Sequence, residues 1–425
     1  MPDRRVFLSA AAGGLTTNIF PSLARGANDK ARAGFIGMGR MGMGNLGAAM
    51  RQENLEVAAV CDVYQPNLDK AAAAAKGAKV LKDFREILAD KSIDIVCIST
   101  PDHWHAYMAV EACKAGKDVY VEKPISATIE EGQLMVKAAR KYNRVVQAGT
   151  WQRSQPHYQQ LAKLLAEGAI GGVSFVRTFN YGNMDPEGIG NPPDSAPPPE
   201  LDWDMWLGPA PNRPYNRNRF GIDPKAFSHF RWFWDYAGGM MTDWGVHVLD
   251  IVQLAFNEEM PRAITAIGQK NYVKDNRETP DTLQVTYDYP RFIATYENRF
   301  FNGNALAPYG NTAFHGTKGT LLCDRGGFRI IPERGPNAIE PMEVRATGNG
   351  NNQHWANFME CVKSRQKPNS DIENCFRSTS TCLLGNIALR SKLRVDWDAA
   401  TEKILQPEAR KYSSREARKP WKISL

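Results

Sequence analysis

Three groups of side chains in this sequence have the types and the spacing to do chemistry together. The first is Gly37-Met38-Gly39-Arg40-Met41-Gly42, which directly follows a short apolar run, with Asp62 closing the next apolar run. At a strand-to-helix turn the first glycine of such a set permits the tight bend. The second lets the backbone approach a pyrophosphate at the positive helix end, and the third lets helix and strand pack closely. An acidic residue about 20 positions further on accepts hydrogen bonds from the adenosine ribose hydroxyls and repels a 2′-phosphate. The set therefore predicts bound NAD, with NADP disfavoured. The second group is Lys123, which ends a later apolar run and so points into the crevice at the carboxyl edge of a parallel sheet. The third is Asp243 with His247, four residues apart and hence on one face of a helix. A carboxylate beside an imidazole orients it and raises its basicity.

The elements that must position these groups are legible as a pattern. Apolar runs at 33–37, 55–62, 93–100, 118–124 and 145–150 alternate with helical stretches at 65–76, 103–115 and 128–141. Continuous apolar strands between amphipathic helices predict a parallel sheet covered on both faces, a doubly wound Rossmann domain over 31–150. Beyond it the texture changes. Residues 175–181 read as a strand, and the Pro-rich stretch 191–200, inside an excursion over 185–215, cannot be regular structure. Residues 238–255 read as one helix. Strand patterns at 263–273, 282–288, 292–301, 319–323 and 327–331 predict a mostly antiparallel sheet, with helices at 353–364 and 376–392. The fold class is α/β: the Rossmann sheet, then a C-terminal α+β domain with an open sheet over 151–395. A basic tail, 396–425, is expected to be a solvated end.

STPDHWH (99–105), Glu122-Lys123-Pro124 and GGMMTDWGVHVLD (238–250), in that order on such a pair of domains, resemble the Gfo/Idh/MocA family, which includes glucose–fructose oxidoreductase and inositol dehydrogenase. The resemblance covers about residues 31–395, and the Glu-Lys-Pro and Asp-x-x-x-His motifs are its most specific parts. It implies hydride transfer between a nicotinamide cofactor and a carbohydrate-type secondary alcohol or its ketone. With Lys123, Asp243 and His247 as the catalytic groups, the substrate hydroxyl is expected between Lys123 and His247: one of the two, His247 in preference to Lys123, accepts its proton, Lys123 stabilises the developing alkoxide or relays the proton, and Asp243 orients the pair and positions a neighbouring hydroxyl. The resemblance places Thr100, Pro101 and His105 in the loop that touches the cofactor, and Glu122 near the nicotinamide ribose. It also implies subunit contacts through the open sheet, hence a homodimer or homotetramer.

Aromatic residues point to the substrate. Sugar rings present apolar C–H faces that stack on indoles, and five of the ten tryptophans fall between 203 and 244. The segment 229–239 interleaves aromatic and polar groups just before the Asp243 helix. Some of Arg231, Trp232, Trp234 and Asp235 are expected to touch substrate, with aromatic core or a subunit interface as the competing reading. GTWQR (149–153) ends the fifth apolar run and adds Trp151 and Arg153.

The N-terminal DRRVFLSAAAGG, with Arg4-Arg5, looks like a twin-arginine export signal over 1–26, which places the protein in the periplasm or otherwise outside the cytoplasm. Free NAD is scarce there, so such an enzyme must hold its cofactor tightly and restore it each cycle. It can couple two sugars, pass electrons to an outside acceptor, or cleave a glycosidic bond by transient oxidation and elimination. A non-catalytic sugar or dinucleotide sensor is a further reading, against which the joint presence of Lys123, Asp243 and His247 argues. Composition narrows the classes further. No apolar run approaches the ~20 residues that span a bilayer, so stable membrane insertion is excluded. The net charge of +7 is concentrated at the two ends, with +2 in residues 1–26 and +4 in 402–425. The near-neutral body has no electrostatic claim on nucleic acid. Seven cysteines without a CxxC pair predict neither a metal site nor a disulfide framework.

Overall fold

The computed structural model describes residues 30–221, 228–272, 274–304, 310–335 and 338–425. The export-signal stretch lies outside the described residues. The first domain runs β1 (Ala31–Ile36), α1 (Arg40–Ala49), β2 (Leu55–Cys61), α2 (Gln65–Ala74), β3 (Lys79–Leu81), α3 (Phe84–Ala89), β4 (Ile95–Ile98), α4 (Asp102–Lys114), β5 (Asp118–Val121), α5 (Ile129–Lys141) and β6 (Val146–Ala148). Its six strands are all parallel, in the order β3-β2-β1-β4-β5-β6. The chain therefore leaves β1 toward β2 and later returns to the other side of β1 as β4. Loops diverge at that reversal, and the crevice between them is where such sheets bind ligands. β4 and β5 are buried along their whole length, which is why they read as unbroken apolar runs. β3 and α3 gave no such signal, because β3 is short and exposes Lys79 and Val80.

The second domain runs α6 (Pro156–Ala166), β7 (Val173–Tyr181), α7 (Trp203–Leu207), α8 (Arg217–Phe220), α9 (Gly239–Asp243), α10 (Gly245–Ala255), β8 (Ala263–Gln269), β9 (Thr282–Asp288), β10 (Ile293–Arg299), β11 (Thr312–Gly316), β12 (Gly319–Asp324), β13 (Gly327–Pro332), β14 (Met342–Arg345), α11 (Gly350–Ser364), α12 (Ile372–Ser391), β15 (Val395–Asp398), β16 (Lys403–Ile404) and α13 (Pro407–Arg410). Its ten strands lie in the order β14-β13-β12-β11-β7-β10-β9-β8-β15-β16, antiparallel except for the parallel β7–β10 pair. Alternation along β9 and β10 buries Leu283, Val285, Tyr287, Ala294 and Tyr296 against Leu249 and Val252 of α10 and Cys382 and Leu384 of α12. Among the described residues no helix is long and apolar enough to cross a membrane.

Three features depart from the sequence expectations. The helix expected over 238–255 divides at Trp244 into α9 and α10. The helix α11 leaves its own domain: Trp355 stacks on Tyr120 at 4.6 Å and on Phe35 at 5.9 Å, covering one face of the Rossmann sheet. The basic tail is not a solvated end. Trp421 is buried against Trp104, 4.9 Å away. Arg415 donates to the His103 carbonyl at 2.8 Å and pairs with Glu131 at 2.7 Å, while Arg418 donates to the Gly208 carbonyl at 2.8 Å. These cations are tied down by carbonyls at helix and turn ends, which a charge count along the chain cannot foresee.

Candidate active site

The glycine turn closes as its residue types require. Gly37 adopts φ +84°, and its N–H donates to the Cys61 carbonyl at 2.8 Å. A Cβ on Gly42 would lie 1.8 Å from the Gly37 carbonyl oxygen, so α1 packs on the turn only through glycine. Gly42→Ala is therefore expected to push α1 off the turn, at about 1–3 kcal/mol for overpacking, and to weaken NAD binding at least tenfold. A fluorescence titration with NAD reads this directly, and unchanged affinity would contradict the fit. Gly39 caps α1 with no side-chain acceptor, and a Cβ there would meet nothing within 4 Å. The α1 N-terminus thus presents open N–H groups to the cleft, flanked by Arg40 and Met41 in its lining. Met38 contributes its backbone only: its side chain is buried, and its N–H donates to Asp62 Oδ2 at 2.6 Å. Asp62 also accepts from the Tyr64 N–H at 2.9 Å and from Asn67 Nδ2 at 3.2 Å. Burial nonetheless raises its carboxyl pKa.

The ends of β4 and β5 form the opposite wall. Thr100, Pro101, His105, Glu122 and Lys123 all line the same cleft as the glycine turn. Thr100 Oγ1 is buried with no hydrogen-bond partner, a polar group left for a ligand. His105 joins the two strand ends, with Nε2 2.7 Å from the Thr100 carbonyl and Nδ1 2.7 Å from the Pro124 carbonyl. Burial lowers its pKa to about 4. Glu122 accepts from Asn45 Nδ2 at 2.9 Å and from the Lys123 N–H at 3.2 Å, and Asn45 also reaches Ser99 Oγ at 3.0 Å. Sequence reasoning passed over Asn45, although a polar residue on the buried face of α1 was a usable signal. It also passed over Asp102, whose carboxyl lines the cleft and is pushed up to about 7 by burial.

Lys123 and Asp243 meet across the domains. Lys123 Nζ donates to Asp243 Oδ1 at 2.9 Å and to the Asp243 carbonyl at 3.1 Å, and Arg231 Nη1 lies 3.2 Å from Oδ2. Burial alone would raise the Asp243 carboxyl, but Arg231 and Lys123 more than offset it and hold it below the usual range. Asp243 does not orient His247, contrary to what the four-residue spacing suggested. The helix breaks at Trp244, no hydrogen bond joins the two side chains, and His247 Nδ1 is buried without a partner. Burial, then the charges of Lys123, Arg325 and Arg231, push the His247 pKa well below 6.5. The imidazole is therefore neutral at neutral pH.

The six substrate candidates divide. Arg231 reaches Asp243, as described. Trp151 is linked to the site through Arg325, whose guanidinium lies 4.6 Å from the Trp151 ring and 4.8 Å from that of Trp244. Trp244 in turn sits 5.7 Å from the His247 ring. The other four go elsewhere. Arg153 is buried in an ion cluster, 2.8 Å from Asp250 and 2.6 Å from Glu258. Trp232 is buried under Arg277 at 4.4 Å, Trp234 carries Arg390 at 4.9 Å, and Asp235 pairs with Arg213 at 2.7 Å. Residues 151–154 and 229–232 are 3-10 turns, where neighbouring residues point roughly 120° apart. Arg231 therefore lines the cleft while Trp232 turns into the core, and Trp151 meets Arg325 while Arg153, two residues on, is buried.

Comparison with known proteins agrees with this layout. Residues 31–150 match the oxidoreductase family's NAD-binding Rossmann fold, and residues 159–423 match its C-terminal alpha/beta domain. Inositol 2-dehydrogenase of Salmonella typhimurium is 34% identical over 156 residues, 35% of this chain and 46% of the relative. A glycosyl hydrolase family 109 protein of Shewanella sp. is 37% identical over 122 residues, 27% of each chain. The chain thus spans under half the length of these relatives. Among solved structures, the WlbA dehydrogenase from Bordetella pertussis, in complex with NADH and UDP-GlcNAcA, shares the fold with a TM-score of 0.65. It is 19% identical, and the likeness covers 87% of this chain and 99% of that one. Matched through both domains, the chain belongs to the Gfo/Idh/MocA family of NAD-binding oxidoreductases.

Proposed function

We propose that this protein is an exported oxidoreductase that moves hydride between a tightly held NAD and a secondary alcohol or ketone of a carbohydrate. The observation that carries the reading is the meeting of Lys123 and Asp243 across the domains, 2.9 Å apart in the cleft that also holds the glycine turn, with the neutral His247 one helical turn beyond Asp243 in the chain. The residues fit the cofactor: an uncapped α1 N-terminus for the pyrophosphate, Asp62 for the adenosine ribose, and the unpartnered Thr100 hydroxyl with Glu122 on the β4–β5 side. NAD, when bound, supplies the hydride acceptor. His247 accepts the substrate hydroxyl proton at a ring nitrogen. Lys123 Nζ donates a hydrogen bond to the oxygen as it gains charge, and Asp243, clamped between Lys123 and Arg231, fixes that ammonium. Positioning the two reactants contributes much of the remaining rate.

The low His247 pKa sets the pH dependence. A base works in its unprotonated form, so kcat/KM for alcohol oxidation is expected to stay flat from about pH 8 down through 6.5. A fall already centred near 6.5 would contradict the assignment. The test of the reading itself is to release small molecules from freshly purified full-length protein for mass spectrometry, then follow nicotinamide absorbance with a sugar panel. Co-purified NAD reduced by a sugar supports the proposal. A protein that neither carries NAD nor reduces it sinks it.

The match to glycosyl hydrolase family 109 proteins favours a second reading, in which transient oxidation serves glycosidic cleavage. Free aglycone without net NADH would support it. A homodimer or homotetramer is also proposed. The uncovered face of the ten-stranded sheet exposes Ile267, Ile293 and Ile331, brought to one side by the strand registers. Sedimentation velocity decides this, and a monomer at micromolar concentration would refute it.

A further inference from the structure

Arg325 is a cation for which the proposed reaction has no use. It lies in the turn between β12 and β13, with its guanidinium between the Trp151 and Trp244 rings. Nε donates to Gln152 Oε1 at 3.2 Å. Its two terminal nitrogens make no hydrogen bond to a described residue and are not buried among the unsatisfied groups. The neighbouring Asp324 carboxylate is turned away, accepting from the Gly326 N–H at 2.7 Å. Every other inward arginine near this site has a carboxylate: Arg153 has Asp250 and Glu258, and Arg231 has Asp243. A guanidinium partly desolvated between two indoles, with no carboxylate paired to it among the described residues, is arranged for an anion that arrives with a ligand. It also lies beside the proposed proton acceptor, since the Trp244 ring it covers at 4.8 Å is 5.7 Å from the His247 ring. The one carboxylate of Asp243 is already held by Lys123 at 2.9 Å and Arg231 at 3.2 Å, so it is not left over for Arg325.

Resting on the oxidoreductase reading above, we infer that the substrate is an anionic carbohydrate whose carboxylate or phosphate group is bound by the Arg325 guanidinium clamped between Trp151 and Trp244. The two indoles fix the plane of the fork, and Gln152 fixes its rotation. The terminal nitrogens are left side by side for bidentate contact, the geometry that suits a carboxylate or phosphate. The Trp244 ring, 5.7 Å from His247, carries this anchor to the proton acceptor. A neutral sugar leaves the fork unpaired.

The test is calorimetric titration of the full-length protein saturated with NADH. The probes are glucuronate, galacturonate and glucose 6-phosphate, each beside its neutral parent. At least one anion is expected to bind about tenfold or more tightly than its parent. Arg325→Gln is expected to remove that advantage and Arg325→Lys to keep part of it, with NADH affinity unchanged in both as proof of fold. Preference for the uronates assigns a carboxylate, and preference for the sugar phosphate assigns a phosphate. Equal binding of anion and parent, or an anion preference that survives in Arg325→Gln, overturns the inference while leaving the oxidoreductase reading intact. If no sugar of either kind binds the NADH-loaded protein, both fall.

Discussion

Lys123→Ala is expected to bind NAD as the parent protein does and to slow hydride transfer by about 10²–10⁴. Its ammonium is the group that lies on Asp243 Oδ1 at 2.9 Å, on the wall the glycine turn faces across the cleft. Removing it takes away the donor to the developing alkoxide but none of the backbone that would hold the pyrophosphate. Asp243 keeps Arg231 at 3.2 Å, so the buried carboxylate is not stranded and the fold should persist. Relieved of the Lys123 charge, His247 should titrate nearer its ordinary value, because that charge is one of the causes of its depression. The variant's residual activity should therefore show an acid limb at higher pH than the parent's. Stopped-flow single turnovers with NAD-loaded protein measure both effects. Near-parental turnover would remove Lys123 from the chemistry.

Arg153→Ala is expected to do the opposite, leaving the chemistry in place and undermining the fold. Arg153 is 2% exposed and joins Asp250 and Glu258, both on the same stretch of chain as His247. Its loss leaves two carboxylates in a dry site, with Ser378 Oγ on Asp250 at 2.6 Å as the remaining donor. Breaking a buried pair in this way costs about 3–5 kcal/mol, on the order of 10 °C in Tm. The sign of the pH dependence follows. Burial already raises the Glu258 carboxyl and Arg153 partly offsets it, so without the guanidinium its folded-state pKa stands further above the unfolded value and the folded variant holds more protons. Its deficit should then shrink as pH falls from about 8 to about 5. Differential scanning calorimetry across that range checks both magnitude and sign. A variant as stable as the parent would mean that the cluster does not support the helix carrying His247.

These two arginine and lysine positions also show what a sequence can and cannot disclose. Apolar runs announced β1, β2, β4 and β5 because strands covered on both faces have no polar side to interrupt them. The glycine spacing disclosed the turn because Gly37 and Gly42 answer purely steric demands. The substrate wall was harder to read. Trp151 and Arg153 sit two residues apart on a 3-10 turn, so one is linked to the site through Arg325 and the other is swallowed by the core. Asp243 and His247 have helical spacing, yet the break at Trp244 turns the carboxylate to Lys123 instead of the imidazole. Arg325 carried no signal: it stands in a hairpin turn, brought to Trp244 only by the pairing of β12 with β13 and the packing of the sheet on α10. Partners that depend on tertiary packing leave no local spacing to read.

The most direct measurement is a crystal structure of the full chain with NADH bound. It should show the pyrophosphate on the glycine turn, the adenosine ribose on Asp62, and the nicotinamide beside Lys123 with His247 within reach of the same substrate oxygen. A nicotinamide bound away from Lys123 and His247, or a nucleotide that leaves the glycine turn empty, would contradict the mechanism at its foundation.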